Sequence, residues 1–95
     1  MKLDAEFNIL SRAILSLKTP EECEKFLTDL MTAREISSMA QRITVAELLR
    51  DKKTFSEIEE VTGMSSATIA RINRCLQYGD GGYSQALQGK LPDGD

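Results

Sequence analysis

Residues 54–76 read TFSEIEEVTGMSSATIARINRCL, and the fold turns on this stretch. Thr54 and Glu57 stand in the S/T-x-x-E relation of a capping box, which predicts a helix from Phe55. Phe55, Ile58 and Val61 recur every third residue as one apolar stripe. Gly63 follows directly, where a chain leaving a helix often needs a positive φ. Met64 adds an apolar residue to the turn, and Ser65 or Ser66 can cap a second helix. In that helix Ile69, Ile72 and Leu76 sit at i, i+3 and i+7, facing the first. Two short helices joined through a glycine turn form a helix-turn-helix, expected over 54–78. The second helix carries Arg71 and Arg74, with no acidic residue from Ser65 through Tyr78. That sign asymmetry suits a helix entering a DNA groove. The small start Ser65-Ser66-Ala67-Thr68 suits it too, because such an end must approach base edges and phosphates closely. An ordinary helical hairpin shares the glycine and the stripes. The short connection and the small polar start favour DNA.

Upstream, Leu3, Phe7, Leu10, Ile14 and Leu17 follow at alternating four- and three-residue spacing, a heptad stripe widened by Ile9, Ala13 and Leu15. It predicts a helix from about Asp4 to Leu17 with more apolar surface than one neighbour covers. Thr19 and Glu22 make another capping box, with Pro20 at the first helical position. Cys23, Phe26, Leu27, Leu30 and Met31 then line one helical face. A further box, Thr32 with Glu35, opens the longest helix. Its stripe is Ile36, Met39, Ala40, Ile43, Ala46 and Leu49, with Val45 and Leu48 beside it, ending near Asp51. Downstream, Gly79-Asp80-Gly81-Gly82 is a stop, and Tyr83, Ala86 and Leu87 predict a short last helix over roughly 82–89. Residues 90–95 read as a frayed tail. No segment alternates as a strand would. The expectation is an all-α chain of about six helices, with residues 1–95 as one domain.

Ninety-five residues suit one domain with a modest core, so self-association is a natural supplement. No apolar run reaches the ~18 residues of a membrane span, and no signal peptide is evident, so a cytoplasmic protein is expected. Cys23 and Cys75 are far apart and there is no histidine, which argues against zinc and for two thiols packed beside apolar stripes. No cofactor is expected. The same absences, with no phosphate loop and no buried-looking pair of carboxylates, argue against an enzyme. The net charge is −3, but it is unevenly spread. Residues 40–78 hold six basic and five acidic side chains, while both flanks are net acidic. Non-specific DNA affinity should therefore be weak at physiological salt.

The run AELLRDKKTFSEIEEVTGMSSATIARINRCLQYGDGGYSQAL resembles the Trp-repressor superfamily, and most of all its small bacterial branch of YerC/YecD-type proteins. Ala40-Gln41-Arg42, the run from Ser66 to Arg71 and the run from Arg74 to Gly79 carry most of that likeness. The resemblance covers roughly residues 10–88 and is most specific over 40–83. It implies an intertwined helical homodimer that presents two helix-turn-helix units to double-stranded DNA. It also implies that Ser66, Ala67 and Ala70 reach base edges, and that Arg71 lies near phosphates and near an effector carboxylate. An effector pocket would draw on Gln41, Arg42, Arg71 and Ile72. Gln41 stands where those repressors hold tryptophan with an arginine, and Ile72 where they have glycine. A repressor lysine falls at Glu59.

The sequence therefore predicts a sequence-specific, DNA-binding transcriptional regulator acting as a homodimer, not gated by tryptophan. Ser65, Ser66, Ala67, Thr68 and Ala70 form the DNA-facing end, and Arg71, Arg74, Lys52 and Lys53 serve phosphates. Small side chains discriminate bases weakly, so specificity leans on DNA shape, on water, or on Arg71 reaching a guanine. Two other readings stand beside it. One is a protein-interaction module that keeps the fold without DNA, which the cluster Glu57, Glu59 and Glu60 supports. The other is an aporepressor answering a different small-molecule effector.

Overall fold

The computed structural model describes residues 4–88. Among these the chain forms six helices and no strand: α1 (Asp4–Leu15), α2 (Pro20–Leu30), α3 (Ala33–Arg50), α4 (Phe55–Thr62), α5 (Ser66–Tyr78) and α6 (Gly82–Gln88). It divides into two units, Met1–Ile36 and Ser37–Asp95.

In the first unit the helix starts follow the capping chemistry of the sequence. The Thr19 hydroxyl accepts the Glu22 amide at 3.1 Å, and Pro20 opens α2. Here the reciprocal bond slips by one residue, because the Glu22 carboxylate accepts from the Lys18 amide at 2.8 Å rather than from Thr19. At Thr32 the box is complete, with Thr32 N–H donating to Glu35 at 2.9 Å and Glu35 N–H to Thr32 at 3.1 Å. α1 stops two residues short of expectation. Ser16 and Leu17 amides turn back to the carbonyls of Ala13 and Ile14, tightening the last turn. No residue of α1 or α2 is buried. Phe7, Ile9, Leu10, Ile14 and Leu15 are all exposed, Leu15 at 81 %.

The core lies in the second unit. Val45 and Ala46 of α3, Ile58 of α4, Ile69 and Ile72 of α5 and Leu87 of α6 form one buried cluster. Leu48, Leu49, Met64, Leu76 and Tyr83 pack against it. α5 packs on both α4 and α6. α3 ends in a Schellman turn. The Lys53 amide donates to Leu48 O and the Lys52 amide to Leu49 O, both at 3.0 Å. That geometry places Lys52 at φ 68, a left-handed conformation usually left to glycine. Arg50 Nη1 donates to the Leu87 carbonyl at 2.8 Å and so ties the end of α3 to the end of α6.

Several expectations need correction. Val61 is 71 % exposed rather than part of the α4 stripe. The half-buried residue there is Thr62, whose hydroxyl donates back to Ile58 O at 2.7 Å. The α3 stripe also divides: Met39 and Ile43 are exposed, and only positions from Val45 onward enter the core. Cys23 is half-buried, but Cys75 is exposed rather than packed. It lies beside Arg74, off the Ile69–Ile72–Leu76 side of α5. Leu3, Gly89 and the tail 90–95 lie outside the described residues.

Candidate nucleic-acid interface

The helix-turn-helix is built from two capped helices and a three-residue turn. At its entrance Thr54 and Glu57 form the full capping box. Glu57 N–H donates to the Thr54 hydroxyl at 3.1 Å, and Thr54 N–H donates to the Glu57 carboxylate at 2.8 Å. That backbone bond holds the Glu57 carboxyl below its ordinary pKa, helped by the Thr54 hydroxyl and by the nearby Lys53 charge. Gly63 ends α4 at φ 74 and ψ 7, with its amide bonded to Glu59 O at 2.8 Å. A Cβ at Gly63 would meet nothing within 4 Å, so the requirement for glycine is torsional.

Ser65 then caps α5. Its Oγ accepts the Thr68 amide at 3.2 Å and donates to Thr68 Oγ1 at 3.1 Å. Ser65 and Thr68 are thus partly committed to holding the helix end. Ser66 and Ala67 stand exposed just inside the first turn, and Ala70 is half-buried behind them. Ile69 and Ile72 anchor the opposite side in the core, at 0 % and 3 % exposure. The anchored stripe fixes which side of α5 faces outward. Arg71 and Arg74 are exposed, and neither makes an ion pair or hydrogen bond among the described residues. Lys52 and Lys53 are exposed in the turn between α3 and α4.

Beside α5 lies a recess of about 140 Å³, lined by Arg42, Thr68, Arg71, Ile72, Cys75 and Tyr83. It brings Arg42, Arg71 and Ile72 together. Gln41 is exposed and does not line it. Tyr83 also lines it, a position that the sequence marks only as part of the last helix. Its arrival depends on how the turn at residues 79–81 returns α6 onto α5, which no local pattern announces. Among the described residues no group of Cys, Asp or Glu is placed to hold a metal ion, and no helix is long and apolar enough to cross a membrane.

The family model of the Trp repressor protein matches residues 5–91. The chain belongs to the Trp repressor family. It is 51 % identical over 82 residues to the uncharacterized protein YerC of Bacillus subtilis (strain 168), covering 86 % of this chain and 79 % of that protein. It is also similar to two solved structures. A TrpR-like protein from Eubacterium eligens ATCC 27750 superposes with a TM-score of 0.87 at 44 % identity, over 95 % of this chain and 96 % of that one. A putative Trp repressor from Staphylococcus aureus superposes with a TM-score of 0.83 at 39 % identity, over 93 % and 92 %. The all-helical, TrpR-like fold expected from the sequence is therefore the observed one. The family is one of regulators, not of enzymes.

Proposed function

We propose that this Trp repressor family member is a cytoplasmic, sequence-specific DNA-binding regulator of transcription that works as an intertwined homodimer. The observation that carries the DNA reading is the outward side of α5. Exposed Ser66 and Ala67 open it, and Arg71 and Arg74, unpaired among the described residues, follow within about two turns. Small residues let the end of the helix approach base edges, while the arginines and Lys52 and Lys53 meet the phosphates that set register. Ser65 and Thr68 contribute by fixing the helix end, and Ala70 by keeping that side narrow.

The dimer reading rests on α1, α2 and the first half of α3. Helices of 12 and 11 residues with no buried side chain are marginal alone in water. Phe7, Ile9, Ile14, Leu30 and Ile43 are each 46 % exposed or more, so a second copy is the natural cover for them. Residues 1–95 then act as one domain completed by the partner copy. Two motifs related by a twofold axis would read half-sites about 34–36 Å apart.

A protein-interaction reading has one observation in its favour. Val61 stands exposed over a hollow of about 210 Å³ on α4 that is also lined by Leu48, Ile58 and Glu60. Selection from a random duplex pool at ~50 mM salt separates the two, since low salt preserves a weak phosphate contribution. One enriched motif, lost with Arg71→Ala and with Arg74→Ala at unchanged melting temperature, supports the regulator. No enrichment supports the interaction module. Sedimentation at micromolar concentration should show a dimer, and a cooperative helical monomer would overturn that part.

A further inference from the structure

Among the described residues of the second unit, the two most exposed large apolar side chains are Tyr78 at 80 % and Val61 at 71 %. They stand in opposite charge settings. Val61 lines a hollow of about 210 Å³ at the ends of α3 and α4, with Leu48 and Ile58 as its other apolar members. Lys53, Glu57 and Glu60 complete the lining. The Glu57 carboxylate is committed to the Thr54 amide at 2.8 Å and lies near the Lys53 charge. Glu60 makes no ion pair or hydrogen bond among the described residues, and exposed Glu59 precedes it. The hollow is therefore an apolar cup with one free carboxylate at its edge.

Tyr78 has the converse setting. It borders an open shelf of about 280 Å³ lined also by Arg71, Arg74, Cys75 and Gly79, with no carboxylate among them. Arg74 lies one turn before Tyr78 on the same stripe of α5, and it too makes no ion pair or hydrogen bond among the described residues. A protruding aromatic beside a free arginine matches an apolar cup beside a free carboxylate. The two cannot meet within one chain. Val61 is close to the three-residue turn before α5, whereas Tyr78 lies twelve residues beyond Ser66, about 18 Å along the helix. Tyr78 also points away from the Ile69–Ile72–Leu76 side by which α5 packs on α4.

We propose that Tyr78 of one copy inserts into the Val61 hollow of the next, with Arg74 paired to Glu60. The fork of Arg74 can meet that carboxylate with two bonds, and the Tyr78 hydroxyl finds Lys53 or Glu57 at the edge of the cup. Plug and cup are different surfaces of the same chain, so the contact is head-to-tail and leaves a free plug and a free cup at its ends. It holds whether or not the protein binds DNA. One consequence does rest on the DNA reading: Arg74 cannot meet Glu60 and a phosphate at once, so duplex DNA takes the assembly apart.

One aromatic anchor and one ion pair make a small interface, with a dissociation constant of about 0.1–1 mM. Sedimentation of the full chain at ~50 mM salt should show mass rising between ~20 μM and ~1 mM, and less so at high salt. Tyr78→Ser and Glu60→Arg should each weaken this association about ten-fold or more, with melting curves unchanged because both sites are exposed. Tyr78→Ser keeps the cup and Glu60→Arg keeps the plug, so an equal mixture of the two should associate again. Wild-type protein whose mass does not rise with concentration overturns the proposal, and the hollow then belongs to a foreign partner. Association that survives both variants, or a mixture that fails to restore it, overturns it equally. A selected duplex should abolish the rise, and a rise that persists on DNA overturns the competition. A chain that associates through Tyr78 but selects no duplex refutes the DNA reading and leaves the contact standing.

Discussion

Gly63 and Lys52 hold the two left-handed turns that flank α4, and opposite substitutions there should move stability in opposite directions. Gly63 sits at φ 74 with open space where a Cβ would go. Gly63→Ala therefore meets no clash, and its cost is the left-handed penalty of about 1–2 kcal/mol. Stiffening the unfolded chain offsets about 0.4–1 kcal/mol of this. The net loss is about 1 kcal/mol, or roughly 4–8 °C in melting temperature for a domain of this size. Gly63→Asn should lose less, since asparagine tolerates that conformation. Lys52, at φ 68, already bears the same penalty, so Lys52→Gly should be neutral or raise the melting temperature by a few degrees. Thermal melts followed by circular dichroism on the four proteins decide the matter. If Gly63→Ala melts with the parent, or if Asn and Ala cost the same, torsion is not what selects glycine at this turn.

Arg50→Leu should orphan the Leu87 carbonyl that now accepts its guanidinium at 2.8 Å. The expected loss is about 1 kcal/mol, below the ~1.5–3 of a buried charged bond because Arg50 is largely in water. Amide exchange should accelerate in α6 before α4, and uniform acceleration would count against a local tie. For pH, Glu57 has a folded pKa held below the ordinary 4.5, chiefly by the Thr54 backbone bond. Its contribution is present above pH 4.5 and lost as pH falls through the lower folded value. Glu57→Gln should therefore cost stability at pH 7 and make melting less acid-sensitive below about 4.5, and identical acid profiles would remove the capping box as the cause. Free tryptophan should give no saturable heat. Gln41 lies off the recess, Ile72 is 3 % exposed and fills its side of it, and no carboxylate there pairs with an ammonium. A micromolar dissociation constant would refute that argument.

Local chemistry placed the helices of this protein. A threonine three residues before a glutamate stabilises a helix start wherever it occurs, and the boxes at Thr32 and Thr54 formed as written. Gly63 was readable for the same reason, since a left-handed turn is a property of one residue. The side of α5 that faces outward was also readable, because Ile69, Ile72 and Leu76 leave Arg71 and Arg74 no place in a core. Tertiary structure alone decided what depends on neighbours distant in sequence. Val61 fits an apolar period as well as Ile58 does, yet it stays exposed, and Cys75 finds itself beside arginines rather than in the core. Lys52 accepts a glycine's conformation because the end of α3 closes a Schellman turn around it. The recess likewise exists only once α6 returns Tyr83 to Arg42 and Arg71. Caps and turns are set by a few adjacent residues, whereas burial and pockets are set by surfaces that meet only after the chain has closed on itself.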